Sequence, residues 1–442
     1  MTGAWGARNI DSMSTERPFS LRGVALAAFL PTMLFSIGEG AMIPLIPLVA
    51  DGLGASLAFA GFIAAMVMVG ELIGDIPSGA VVSRFGERNS MIGASVLAIL
   101  AVLVCIIAPN PIVLAVGIFL IGLATAVFAL ARHAFMTSYV PVAYRARALS
   151  TLGGVFRAGW FVGPFLAAGV IHLTGGTTAV FWIFIVCCLA AALVLLLLPD
   201  PSSTFASAQS GAGADKPVRT AGEDLAAAET AGLFATIWQY RGVLLRLGTG
   251  AGLVGAMRAT RTVMLPLWAV SIGINEPDTA LIIGIAGGID FALFYASGQI
   301  MDRFGRMWTA IPSMIGLSLG LIALAFTHDL PANAQWFIAV AMFLSLANGI
   351  GSGLLMTLGA DLAPQTGPAP FLGAWRFTAD FGSAAAPLAV AGITALVSLS
   401  VASGTLGVVG LVGAGLLWRY IPRYAPRHPR LTPTNPTSPR RR

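Results

Sequence analysis

The chain of 442 residues is 57% hydrophobic and only 10% charged, against about 45–50% apolar and about 25% charged residues in ordinary soluble domains. So few charges cannot cover a water-soluble surface of this size. Apolar stretches above the ~18 residues of a membrane-span candidate recur along the whole length, which excludes a soluble globular protein and describes an all-α, polytopic membrane protein.

In chain order, a cytoplasmic tail over 1–21 precedes spans predicted at 22–49, 57–81, 90–108, 111–138, 147–171 and 177–198. The first apolar run exceeds the ~7–15 residues of a secretory h-region, so it is read as a span that stays in the protein. Residues 199–242 form a cytoplasmic linker, Ser/Ala/Gly-rich from Pro201 to Gly213 and then of helical character as if lying on the inner membrane surface. Six further spans follow at 243–271, 279–301, 307–327, 334–360, 369–395 and 398–418, and a Pro-rich basic tail, expected to be disordered, closes the chain over 419–442. That tail suits anionic lipid headgroups and, equally, mere solubilisation.

The loops on one side collect Arg8, Arg17, Arg22, Arg84, Arg88, Arg145, Arg147, Arg219, Arg241, Arg246, Arg303 and Arg306, joined by the tail arginines. The opposite loops hold Asp51, His172, Glu276, Asp278, His328 and Asp329 and neither Arg nor Lys. By the positive-inside rule both termini are cytoplasmic, in a plasma or inner membrane.

The two halves repeat. An offset of 219 residues superposes Gly79–Arg88 on Gly298–Met307, Pro47 on Pro266, Glu71 on Asp290 and Glu39 on Arg258. With four more residues inserted, Gly159, Gly163, Pro164, Pro141 and Arg157 fall on Gly382, Ala386, Pro387, Pro364 and Asp380. Six spans duplicated in parallel orientation is an arrangement of secondary transporters. Enzymatic chemistry finds little support. The single lysine, Lys216, stands between Asp and Pro, so the Gly-Lys-Ser/Thr phosphate loop is missing and no ATP is expected. Cys105, Cys187 and Cys188, with His133, His172, His328 and His428, show no metal or nucleophile spacing. We expect no metal, no cofactor and no nucleic-acid partner.

The loop after the second span, Gly79-x-x-x-Ser83-Arg84-Phe85-Gly86-x-Arg88, and its copy Gly298-x-x-x-Asp302-Arg303-Phe304-Gly305-Arg306 resemble the signature loop of the major facilitator superfamily. The resemblance implies two pseudo-symmetric six-helix bundles of twelve spans in all, with these loops as gate latches. Their first glycines would allow close helix approach, their second would turn the chain, and their arginines would meet acids or helix C-termini. Ser83 stands where the pattern has Asp. Gly38, Pro44 and Pro47 in the first span are similar to a motif of the twelve-span drug:proton antiporters in that superfamily, and Gly159, Gly163 and Pro164 in the fifth to their antiporter motif, whose last two glycines are Ala167 and Ala168 in this chain. The arginine that the resemblance places shortly before Gly122 is replaced near Ile118. Generic close packing also explains the small residues.

Ionisable groups deep in the spans point to function, since each costs about 2.5–3.5 kcal/mol on insertion scales when it faces lipid. Glu39, Glu71, Arg157, Arg258, Asp290 and Asp380 lie near mid-span, with Asp75, Arg261 and Arg376 within about a turn of that depth. Proton coupling needs a carboxyl whose burial raises its proton affinity and whose protonation changes its pairing. Glu39 is the first choice, then Glu71 and Asp290, with Asp75 and Asp380 expected to pair with arginine. Opposite signs at repeat-related positions suggest that Glu39 meets Arg258, and Arg157 meets Asp380, across the cavity. A purely structural account treats all of these as fixed interhelical pairs. The aromatics Phe35, Trp160, Tyr295 and Trp375 are as readily explained by packing as by lining a cavity.

The resemblance implies a monomeric transporter exporting a small drug-like or metabolite molecule in exchange for protons. Arg157, Arg258, Arg261 and Arg376 equally suit proton-coupled uptake of an organic anion. A non-transporting membrane sensor on the same fold is a third reading.

Overall fold

The computed structural model describes residues 28–140, 142–197, 233–364 and 368–424. Among these, twelve long helices follow one another: α1 (Leu30–Gly52), α2 (Leu57–Phe85), α3 (Glu87–Ile106), α4 (Pro111–Tyr139), α5 (Val142–Thr174), α6 (Thr178–Leu197), α7 (Thr249–Ser271), α8 (Glu276–Phe304), α9 (Met307–Ala325), α10 (Asn333–Leu362), α11 (Pro368–Leu396) and α12 (Leu399–Tyr424). Eleven are long and apolar enough to cross a membrane. The remaining one, α7, has 23 residues and the length to do so, but carries Arg258 and Arg261. Of the predicted surface helix only Leu233–Gln239 lies within the described residues; the N-terminal tail, the Ser/Ala/Gly stretch and residues 425–442 lie outside them, whereas residues 419–424, expected in the disordered tail, continue α12 as helix.

Local chemistry sets the helix ends. Asn110 accepts from the Ile112 and Val113 amides at 3.1 and 3.0 Å, with Pro111 following at the first helical position. Asn275 caps α8 in the same way, accepting from the Asp278 amide at 2.9 Å. On the arginine-rich side, the inner face below, Gly86 and Gly305 end α2 and α8 at φ 79° and 96°. A side chain there would be strained, so the second glycine of each latch does turn the chain.

Two spans depart from a regular helix. α1 tightens to 3-10 over Ile43–Leu45, around Pro44 and ahead of Pro47. α10, predicted as one span, breaks between Ile350 and Leu354, where Gly353 takes φ 77°. Backbone left unpaired at membrane depth persists only where other groups satisfy it. Ser297 does so from α8, donating to the Ile350 and Ser352 carbonyls at 2.6 and 2.8 Å.

The first six helices pack chiefly as α1 on α5 and α6, α2 on α4, and α3 on α4 and α6. The last six repeat the scheme, with α7 on α11 and α12, α9 on α10 and α12, and α8 on α10. The halves meet through α2 with α11, α5 with α8, and the outer part of α1 with α7. Lipid tails provide little apolar drive between helices, so small residues carry these contacts. A Cβ on Gly159 would sit 2.6 Å from that of Ser36, and Gly163 lies directly on the backbone of Ile37, Gly40 and Ala41. In the second half Gly382, the repeat partner of Gly159, lies on the backbone of Gly252, the repeat partner of Met33. Gly298 behaves differently from the expectation of close approach: a Cβ there meets nothing within 4 Å.

Gly382→Leu therefore overpacks the α7–α11 contact, at a cost of about 1–3 kcal/mol, whereas Gly415→Leu, where a Cβ meets nothing within 4 Å, costs little. Thermal unfolding of the detergent-solubilised protein is expected to show a lower midpoint for the first variant and an unchanged one for the second.

Candidate functional site

A cavity of about 220 Å³ lies between the halves, bounded by α1, α5, α7, α8 and α10. Pro44, Trp160, Pro164, Phe291 and Ile283 give it an apolar frame, into which Arg157, Arg258, Arg261, Asp290 and Asn348 project. Towards the outer face it is closed by apolar packing. Leu267 and Trp268 are 1% and 0% exposed, and a Cβ on Gly61 of α2 would sit 3.0 Å from Leu267 and 3.7 Å from Ala391.

Two of the arginines are anchored by α10. Arg258 donates to the Gly351 carbonyl, which also accepts from the Leu354 amide at 3.2 Å across the break in that helix, and Arg261 donates to the Ser345 hydroxyl. The Nε of both is buried without a hydrogen-bond partner. Arg157 lies 5.0 Å over the Phe294 ring. Asp290 stands 3.7 Å from Arg157 and 3.9 Å from Arg261, and Asn348 donates to its Oδ2 at 2.6 Å. Asp290 Oδ1 and Asn348 Oδ1 are also buried without a hydrogen-bond partner, and Trp160 Nε1 is buried within reach of Glu39. A buried polar atom without a hydrogen bond costs about 1–3 kcal/mol, so the walls of this cavity are polar at a cost in stability.

A second cluster lies towards the inner face. Glu39, 2% exposed, accepts from the Thr125 hydroxyl of α4, and Arg132 of the same helix lies within electrostatic reach of Glu39 and Glu71. Arg132 rests 4.8 Å over the Phe156 ring, its Nε without a partner. Glu71 is in reach of Glu39, Asp75, Asp380 and Arg376. Asp75 and Asp380 do pair with arginine, and with the same one: Arg376 donates to Asp75 at 3.0 Å across the two halves and to Asp380 at 3.2 Å one turn along α11. Arg376 therefore belongs to this inner cluster rather than to the cavity.

The cross-cavity pairs suggested by the repeat are corrected by this geometry. Glu39 is engaged by Thr125 and Arg258 by Gly351, while Arg157 faces Asp290 and Asp380 is taken by Arg376. The repeat fixes depth along the span, but neighbouring helices decide which charge is nearest. Of the aromatics, Trp160 lines the cavity, Phe35 stacks on Phe128 at 4.2 Å, Trp375 donates to the Leu355 carbonyl at 2.9 Å and Tyr295 is 57% exposed.

Of the arginines in the two repeated loops, Arg88 and Arg306 meet a helix C-terminus and an acid, and Arg84 and Arg303 do not. Arg88 donates to the Leu195 and Leu196 carbonyls at 2.7 and 3.0 Å, at the C-terminus of α6. Arg306 grips Asp361 at 2.9 and 3.3 Å and the Met301 carbonyl at 3.1 Å. Arg84 and Arg303 lie over the neighbouring Phe85 and Phe304 rings at 5.7 and 5.3 Å. Ser83 donates within its own helix to Ala80, and Asp302 is 84% exposed, 3.6 Å from Arg306. Gly79 is buried.

Sequence reasoning passed over Arg132, Thr125, Ser345, Asn348 and Gly351. Arg132 carried a signal, since it falls inside the predicted fourth span. So did the Asn348-Gly-Ile-Gly-Ser-Gly353 run, whose glycines favour a break in a helix. Thr125 and Ser345 carried none.

Residues 28–387 match the family model of the Major Facilitator Superfamily. The chain belongs to that superfamily. It is thus a multi-pass membrane transporter and not an enzyme. It is 23% identical over 405 residues to the putative metabolite transport protein YncC of Bacillus subtilis (strain 168), covering 77% of this chain and 83% of that protein. It is 23% identical over 348 residues to the probable inositol transporter 3 of Arabidopsis thaliana, covering 72% of this chain and 60% of that protein. Its fold is similar to a crystallised D-xylose-proton symporter (TM-score 0.72, 15% identity, 92% of this chain and 99% of that one). It is also similar to a POT family transporter solved with a thioalcohol-conjugated peptide (TM-score 0.73, 12% identity, 91% and 97%).

Because the Asp75–Arg376 pair is partly exposed, its coupling is modest. A double-mutant cycle of Asp75→Asn and Arg376→Gln in thermal unfolding is expected to give an interaction of up to about 1 kcal/mol, falling as salt is raised.

Proposed function

We propose that the protein is a proton-coupled carrier of a small hydrophilic organic anion, working by alternating access as a monomer in the plasma membrane with both termini cytoplasmic. The observation that carries this reading is the central cavity, where three guanidinium groups face one carboxylate. Guanidinium forks make bidentate, charge-assisted bonds to carboxylate or phosphate, and Arg157, Arg258 and Arg261 all line the cavity. Asn348 adds a polar group for the body behind the anionic group, and Trp160, which also lines the cavity, reaches Glu39. A cavity of about 220 Å³ is below the roughly 300–1,000 Å³ of sites for drug-sized ligands, which favours a small metabolite. A relative named for metabolite transport and a structural neighbour named as a proton symporter are in keeping with this.

Glu39 is the proposed proton carrier. It is buried one residue from Gly40, which borders the cavity, and Arg132 and Thr125 stand ready to hold its charged form. Protonation removes the charge that Arg132 faces, so proton and substrate occupancy bias the same α1–α4–α5 packing, and their linkage is reciprocal. Glu71 and the Asp75–Arg376–Asp380 group connect that change to the inner contact between halves. Export of an amphipathic compound in exchange for protons is a second reading. It is favoured by the antiporter-like packing of Gly159 and Gly163 on α1 beside Gly40.

Reconstituted vesicles with an imposed pH gradient test both readings against cationic, neutral and anionic compounds. Small anions are expected to dissipate the gradient with the wild-type protein and not with Glu39→Gln. A response confined to cationic amphipathic compounds would establish the exchange reading instead. Arg258→Gln and Arg261→Gln each remove a charge-assisted contact worth about 1.5–3 kcal/mol, so the anion concentration for half-maximal transport is expected to rise by about 10- to 100-fold.

A further inference from the structure

We propose that Asp290 is a tethered counter-anion, a stand-in that neutralises the arginines of the empty cavity and is supplanted by the charge of the substrate. This rests on the anion reading above and assigns Asp290 a role in the return of the unloaded carrier rather than in substrate capture.

The contacts of Asp290 are those of a placeholder. Its distances to Arg157 and Arg261 are 3.7 and 3.9 Å, beyond the 2.7–3.2 Å of N–H···O hydrogen bonds. Its one close bond, 2.6 Å, comes from the neutral amide of Asn348. The carboxylate is thus tied to the neighbouring helix and held near the guanidinium groups without occupying their donors, and Arg258 and Arg261 keep Nε free. A soluble carboxylate forming N–H···O bonds of about 2.7–2.9 Å outcompetes contacts this loose. Arg157 belongs to the first half and Asp290 to the second, so the contact also spans the cavity between the bodies that must move.

Charge arithmetic supplies the consequence. Occluding a cavity removes its groups from water, and the penalty grows with uncompensated charge. With Asp290, the empty cavity carries three positive charges against one negative. Without it, the same net charge is reached only when a monovalent anion is bound. Because the penalty of burying charge grows faster than linearly with that charge, losing the Asp290 charge hinders the empty carrier, three charges against two, more than the loaded one, two against one: exchange of anion for anion is preserved better than net transport.

The test uses the full chain, with binding followed by Trp fluorescence against lactate, gluconate and glycerol 3-phosphate. The best-bound compound is then used, radiolabelled, in vesicles to compare exchange with net uptake. Asp290→Asn is expected to tighten binding by about fivefold or more, the lower end of coupling between linked sites, and to raise the ratio of exchange to net uptake by about tenfold. Asp290→Glu, whose carboxylate reaches one methylene closer to the arginines, is expected to weaken anion binding and leave the ratio unraised. These opposite signs let Asp290→Glu decide the matter alone should Asp290→Asn not fold. Weaker binding by Asp290→Asn, tighter binding by Asp290→Glu, or an unchanged ratio in Asp290→Asn would overturn the proposal while leaving the anion reading intact. A wild-type protein that binds none of the three compounds would sink both.

Discussion

Arg258 sits at the middle of α7 because α10 breaks beside it. A guanidinium at that depth needs an acceptor it cannot find in lipid, and an intact helix has no carbonyl to spare. The Gly349–Gly353 segment opens one: with Gly353 at φ 77°, the Gly351 carbonyl turns to Arg258, and Ser297 takes the Ile350 and Ser352 carbonyls. Charge and backbone defect thus satisfy each other. The same bargain recurs around the cavity, with Ser345 on Arg261 and Asn348 on Asp290. α10 is in effect the scaffold that holds the cavity charges at fixed positions.

The two halves share packing but divide the chemistry. Gly159 on α1 and Gly382 on α7 make equivalent close backbone approaches, so the repeat preserves the way helices meet. The charges on that frame have diverged. At equivalent positions the first half has Glu39 and the second Arg258, and Glu71 answers to Asp290. The acid in the first half lies buried against Thr125 and Arg132, where a proton can be held. The base in the second half lines the cavity, where an anion can be held. On the proposed reading, the reversal of sign between Glu39 and Arg258, with Glu71 and Asp290 both kept acidic, separates the proton site from the substrate site.

How far this was legible in the sequence depends on the range of each interaction. Spans, repeat and latch loops follow from composition and from residues adjacent along the chain. Gly86 and Gly305 turn where expected, and Arg88 and Arg306 find a helix C-terminus and an acid. The embedded charges were visible too, but their partners were not. Glu39 takes Thr125, 86 residues away, and Arg258 takes a carbonyl 93 residues away that the break in α10 turns towards it while the Leu354 amide also bonds it. A neutral hydroxyl or a freed carbonyl leaves no mark in hydropathy, so pairing by opposite sign chose the wrong neighbours. Arg132 stands within the predicted fourth span and was legible as an embedded charge, but the repeat places no charge opposite it to draw attention to it: the residue 219 positions on is Gly351.

Coupling between the sites has a physical route in the inner cluster. Arg376 is shared by Asp75 across the halves and Asp380 on its own helix, with Glu71 one turn above Asp75 on α2. The guanidinium holds both carboxylates at once, Nη2 on Asp75 across the halves and Nε on Asp380 within α11. On the proposed reading, a change of charge at Glu71 or Glu39 biases how firmly this bridge ties the halves together. The outer contact differs in kind: a Cβ on Gly61 would meet Leu267 and Ala391, and the titratable group there, His328, lies edge-on to the buried Trp268 ring at 5.4 Å and pairs with Asp329. On the proposed reading the carboxylates that answer to a proton lie on the inner side of the cavity, and the outer closure follows the rigid-body motion of the halves.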